Sequence, residues 1–114
     1  MRRLPVWSGN DDLTVPLLSL GAKGVISVLS NVRPKRTLQM VRACQAGDYA
    51  AAGRMQVALT PLIDALFSEI NPIPVKQALS LMGIPAGLPR LPLTPLSATH
   101  LPALEQALSA APEP

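Results

Sequence analysis

Asp11 and Asp12 are the one place in the chain where two carboxylates adjoin, directly after the turn Ser8-Gly9-Asn10. Such a pair can divide acid and base work when its surroundings separate the two pKa values. An apolar segment follows at once, however, and an aspartate so placed caps a helix and complements the positive end of its dipole. Capping is the expected role. Cys44 is the single cysteine and His100 the single histidine. They can form neither a Cys/His metal cluster nor an intrachain disulfide. Cys44 lies in a helical pattern with no histidine near it in sequence, so it reads as a small buried hydrophobe. His100, near a helix start, is expected in solvent. Amine chemistry is open only to Lys23, Lys35 and Lys76, and phenol chemistry only to Tyr49.

Pro5 makes Leu4 to Trp7 at best the start of a strand, because proline lacks the N–H that a central strand needs. After the polar turn, a short helix is expected over about residues 13–20, with Pro16 allowed in its first turn and Gly21 stopping it. The β-branched run Val25-Ile26-Ser27-Val28 after Lys23-Gly24 predicts a strand. A short helix followed by an apolar strand is the grammar of an α/β unit with a parallel sheet. Asn31 to Arg33 forms a loop, and Pro34 opens a helix to about Ala46, ended by Gly47. Arg33 and Lys35 oppose the dipole of that helix, so some contact is expected to hold them there.

Beyond Gly47 the pattern is helical. Asp48 can cap a helix from Tyr49 to Phe67, whose stripe Leu59, Leu62, Ile63, Leu66 and Phe67 follows the helical period. Pro61 predicts a kink. Asn71-Pro72-Ile73-Pro74 starts another helix, with Asn71 as cap or turn and Val75, Ala78, Leu79 and Met82 as its stripe up to Gly83. Four prolines make residues 84–96 an extended connector. A last helix is expected from about His100 to Ala110, with Thr99 as cap and Leu101, Leu104 and Leu108 on one side. Ala111 to Pro114 are expected to fray. The chain thus divides into an α/β part, residues 1–47, and a helical part, residues 48–114.

With 114 residues and 48% hydrophobic content the chain can bury a core. Only 3% are aromatic, so that core rests on aliphatic side chains, which favours helix packing. The net charge of +3 is modest. Basic residues cluster only at Arg33, Lys35 and Arg36, without the stripe and stacking aromatics of a nucleic-acid surface. No apolar run approaches the ~20 residues of a membrane span. Met1-Arg2-Arg3 could begin a signal peptide, but residues 8–12 interrupt the apolar stretch it requires. The lone cysteine suits a reducing cytoplasm.

Four motifs occur together. Ser8-Gly9-Asn10-Asp11 resembles the turn after the seventh barrel strand of dihydrodipicolinate synthases. Gly24-Val25-Ile26-Ser27-Val28, with Asn31, resembles their eighth strand and its loop. Asn71-Pro72-Ile73-Pro74-Val75-Lys76 and the connector from Leu88 to Leu96 resemble two further family motifs, in the family's order and spacing. The hexapeptide from Asn71 resembles the synthases more than their relative N-acetylneuraminate lyase.

The resemblance implies an α/β fragment, mostly α: the last two β/α units of a TIM (β/α)₈ barrel followed by a C-terminal three-helix domain. It implies a cytoplasmic lyase of lysine biosynthesis, usually a homotetramer, that condenses pyruvate with aspartate semialdehyde. A barrel lysine forms a Schiff base with pyruvate, and no further cofactor is needed. Ile26 matches the strand residue whose backbone borders pyruvate, and Gly9 matches a glycine where a side chain would crowd the same ligand. Without the resemblance, Ile26 would read as core and Gly9 as a turn glycine. No catalytic residue carries over. Lys23 precedes the strand, Lys35 and Lys76 lie on helices, and Tyr49 is helical. A whole barrel takes roughly 250 residues, so the rest of it is expected outside these 114. The alternatives are a helical interaction module or one half of a split enzyme completed by a separate N-terminal barrel half. Alone, the chain is expected to be inactive and to oligomerise or aggregate through its open strand edges.

Overall fold

The computed structural model describes residues 4–114, so the Met1-Arg2-Arg3 start lies outside it. Five α-helices dominate the described residues. The first, α1 (Thr14–Ser19), continues a 3-10 turn over Asp11–Leu13. A second 3-10 turn, Leu29–Asn31, leads into α2 (Pro34–Gln45), followed by α3 (Tyr49–Leu66), α4 (Ile73–Leu81) and α5 (Leu101–Ala110). Among the described residues no helix is long and apolar enough to cross a membrane.

The expected strand over Lys23 to Val28 is reduced to a single parallel bridge between Ser8 and Val25. Three backbone bonds make this pairing: Lys23 N–H to the Val6 carbonyl at 2.8 Å, Ser8 N–H to Gly24 at 2.9 Å, and Ile26 N–H to Ser8 at 2.8 Å. Two short extended segments, with no third strand beside them among the described residues, do not build a longer ladder, and Pro5 cannot donate to one. The Trp7 ring approaches Gly24 closely, and an added Cβ would sit 2.6 Å from the indole. A side chain at that position would push the half-exposed ring aside.

The signals that bound α2 and α3 hold. Pro34 sits in the first turn of α2, and Gly47 (φ +81°) supplies the left-handed residue between α2 and α3. Asp48 caps α3 by accepting from Ala51 N–H at 2.9 Å. α3 remains one helix through Pro61. Leu59, Leu62, Ile63 and Leu66 are buried, as their spacing predicts. Phe67 departs from that stripe and is 43% exposed. It follows the last helical residue, with φ −113° and ψ 14°, so the helical period no longer directs its ring inward. Met82, just past α4, is exposed for the same reason. Asn71 lies in the turn before α4.

The main core joins Leu29, Val32 and Met40 to Leu59, Leu62 and Leu66 of α3 and to Leu104 and Leu108 of α5. A smaller cluster holds Leu18, Cys44 and Ala52. Cys44 is buried as expected, and burial pushes its thiol above the ordinary value.

The C-terminal residues do not fray. Ala111 is buried. The Arg33 guanidinium donates to the carbonyls of Val32 (2.6 Å), Leu108 (2.7 Å) and Ala111. Lys35 N–H donates to Glu113 Oε2 at 3.2 Å, Lys35 Nζ to the Pro114 carbonyl at 3.1 Å, and Arg36 to the Pro112 carbonyl. Here is the contact that Arg33 and Lys35 serve. The tail's Glu113 caps the start of α2, and Arg33 caps the end of α5. Burial pulls the Arg33 guanidinium below its ordinary value; Glu113 opposes this and Arg36 adds to it.

Candidate functional site

The paired segments bring Gly9 and Ile26 together. Ser8 is buried, and its hydroxyl closes the turn by donating to the Asn10 carbonyl at 2.7 Å while accepting from Asn10 N–H at 3.2 Å. The Ser8 carbonyl accepts from Ile26 N–H, so Gly9 continues from the residue bonded to Ile26. Both lie at the C-terminal ends of parallel segments, the side on which α/β folds build their sites. A Cβ added to Gly9 would meet nothing within 4 Å. Ile26 is 75% exposed, which is far from the core placement that a β-branched residue in a strand ordinarily takes.

Asp11 departs from the capping role expected of it. It lies within the first 3-10 turn and does not cap α1. Its carboxylate instead crosses to the second: Oδ1 accepts from the Ser27 hydroxyl, and Oδ2 from Val28 N–H and Leu29 N–H, each at 2.9 Å. These N–H groups stand at the start of the turn Leu29–Asn31, so Asp11 caps a helical start that is 18 residues away. Asp12 is exposed while Asp11 is buried, and the two carboxylates form no working pair.

Two of the candidate amines, those of Lys35 and Lys76, are engaged elsewhere. Lys23 precedes the bridge, Lys35 Nζ reaches Pro114, and Lys76 Nζ holds the connector through the Ala86 carbonyl at 2.7 Å. Tyr49 OH donates to the Leu18 carbonyl at 3.1 Å. Among the described residues no group of three His, Cys, Asp or Glu side chains could hold a metal ion.

His100 is not free in solvent. Its Nδ1 lies 2.8 Å from Glu69 Oε2, which also accepts from Ser97 N–H at 3.0 Å and the Ser97 hydroxyl at 2.8 Å. Thr99 does not cap α5. These bonds hold the Glu69 carboxyl below its usual range, the His100 contact most, then the Ser97 backbone and hydroxyl. All three partners converge on one carboxylate oxygen, an arrangement that clamps the end of the connector against the segment after α3.

Sequence reasoning missed Ser27 and Gln56. Gln56 is buried on α3, where it donates to the Asp11 carbonyl at 3.1 Å and accepts from Val15 N–H at 3.2 Å. A glutamine one turn before Leu59 and Thr60 was the available signal, since a polar side chain among buried neighbours needs partners.

The chain is similar to known proteins along nearly its whole length. It is 49% identical over 106 residues to the 4-hydroxy-tetrahydrodipicolinate synthase of Methanocaldococcus jannaschii, covering 93% of this chain and 37% of that protein. The crystal structure of dihydrodipicolinate synthase from Thermotoga maritima matches with a TM-score of 0.88 and 46% identity, over 92% of this chain and 36% of that one. The enzyme from Acinetobacter baumannii, solved as a complex with pyruvate, matches with a TM-score of 0.88 and 41% identity over 94% of this chain and 37% of that one. The chain therefore spans a little over a third of the length of the relatives it matches. The profile of the dihydrodipicolinate synthetase family matches residues 1–111. Read with the motifs and the paired segments ending at Gly9 and Ile26, this match shows that the chain belongs to the dihydrodipicolinate synthetase family.

Proposed function

We propose that these residues supply the last two β/α units of a (β/α)₈ barrel, residues 1–47, and the helical domain that follows them, residues 48–114, in a pyruvate-dependent Schiff-base lyase. In this reading Ile26 and Gly9 form part of the wall of the pyruvate site. The Ile26 backbone borders the ligand, and the missing side chain of Gly9 leaves it room. A lysine outside these 114 residues condenses with the pyruvate ketone, expelling water; loss of a methyl proton gives the enamine that adds to aspartate semialdehyde. The carrying observation is the exposure of Ile26 beside Gly9 at the end of the paired segments, an apolar residue placed where the rest of a barrel would cover it.

This chain alone is inactive in that reaction, and lyase activity needs the remaining barrel, as a continuous segment or a separate chain. Borohydride reduction with pyruvate, read by mass spectrometry, tests both statements. The isolated chain is expected to gain no pyruvyl adduct on Lys23, Lys35 or Lys76. Joined to the portion of the Methanocaldococcus relative that it does not match, it is expected to yield one adduct, on a lysine of that portion. A specific adduct on one of its own lysines overturns the reading.

A further inference from the structure

The buried carboxylate of Asp11 lies beside the candidate site. At 1% exposure it needs full hydrogen bonding to be tolerated. All three of its bonds go to one short stretch, Ser27 to Leu29, which begins at the residue after Ile26. That stretch is closed on itself by Ser30 N–H on the Ser27 hydroxyl at 2.8 Å and the Ser30 hydroxyl on the Ser27 carbonyl at 3.0 Å. Asp11 is in turn held from behind. Its carbonyl accepts from Thr14 Oγ1 at 2.9 Å and from Gln56 Nε2 of α3 at 3.1 Å. Helix α3 thus fixes Asp11, and Asp11 fixes the turn after Ile26. Bonds to a charged acceptor are the stronger kind, and this set is independent of the three backbone bonds of the pairing.

We infer that Asp11 is a positioning residue whose carboxylate fixes the turn 27–29 and thereby the place of the Ile26 backbone in the pyruvate wall. The inference rests on the reading of Gly9 and Ile26 given above. Asp11 does not touch the ligand; it acts through Ser27 and the two turn amides. Gln56 carries the same constraint from the helical part, so α3 contributes to the site without lining it.

Two measurements separate this inference from the reading beneath it. In the full chain alone, Asp11→Ala is expected to speed amide hydrogen exchange at Val28 and Leu29 by about tenfold or more, with α5 unchanged. Asp11→Asn keeps an acceptor oxygen for both amides and is expected to restore most of the protection. Equal exchange in parent and Asp11→Ala overturns the inference. In the full chain joined to the unmatched portion of the Methanocaldococcus relative, Asp11→Ala is expected to raise KM for pyruvate between about tenfold and about a hundredfold. The loss in kcat is expected to be smaller, with recovery in Asp11→Asn. Should Asp11→Ala not fold, Ser27→Ala removes one of the three bonds and is expected to show the same split at smaller size. An unchanged KM in folded variants, or equal losses in Ala and Asn, overturns the inference. A parent hybrid that forms no pyruvyl adduct overturns the pyruvate assignment instead, and the exchange result still decides whether Asp11 holds the turn.

Discussion

Arg33, at the threshold of α2, donates a 2.7 Å hydrogen bond to the carbonyl of Leu108 in the last turn of α5, 75 residues away. The same guanidinium reaches Ala111, so one side chain satisfies carbonyls that the end of a helix leaves open. Arg33→Met keeps much of the packing and strands those buried carbonyls. It is expected to cost roughly 2–4 kcal/mol, since bonds to a charged donor are lost and their acceptors go unpaired. Urea unfolding of parent and variant measures this. A loss below about 0.5 kcal/mol, the range of ordinary surface changes, would show that the tail contributes nothing.

Leu59 and Leu66 carry the helical core. Leu66→Ala is expected to destabilise by about 2–5 kcal/mol through lost burial and the cavity left behind. Leu59→Asp and Leu66→Asp, which bury a charge with no partner, are each expected to cost a few kcal/mol. Circular dichroism melts matching the parent would mean that this stripe is not core.

The clamp at Glu69 predicts a dependence on acid. Its folded carboxyl titrates below its ordinary value because of His100 and Ser97. The unfolded carboxyl titrates near ~4.3. Between the two, the unfolded chain binds more protons, so stability rises with pH there. The contribution is complete above the unfolded value and is lost as pH falls through the folded one. Melting of parent and Glu69→Gln should differ at neutral pH and converge as the pH is lowered beneath ~4.3. A difference that stays constant down to pH ~3 would remove Glu69 as the source.

The paired segments should be the least protected structured region of the isolated chain. Amides of residues 24–28 are expected to exchange faster than those of residues 55–67, because three backbone bonds tie the pairing whereas α3 is a continuous ladder within the core. The reverse order, in a monomer confirmed by light scattering, would show that the segments have found a closed fold of their own.

Most helices were legible from local signals. Pro34, Gly47 and Asp48 mark boundaries through backbone chemistry that operates within a few residues, and the stripe from Leu59 to Leu66 follows one period. Phe67 and Met82 fell outside because that period ends with the helix. The resemblance singled out Gly9 and Ile26, and the structure joins their segments by a single bridge where two strands were expected. Sequence reasoning misjudged Asp11, because whether a carboxylate caps the next helix or one 18 residues on depends on how the chain returns. The same applies to the tail. Ala111 to Pro114 carry the composition of a loose end, and only the arrival of Arg33, Lys35 and Arg36 from the far part of the sequence gives them partners.

Trp7 is the chain's one tryptophan, and it lies half exposed on the bare backbone of Gly24. The five helices contribute no indole, so the protein's fluorescence is a local signal from the paired segments. Emission should stay red-shifted while that face meets water and move to shorter wavelength when another polypeptide covers it. The molecule thus carries a built-in optical reporter for any polypeptide that covers these paired segments.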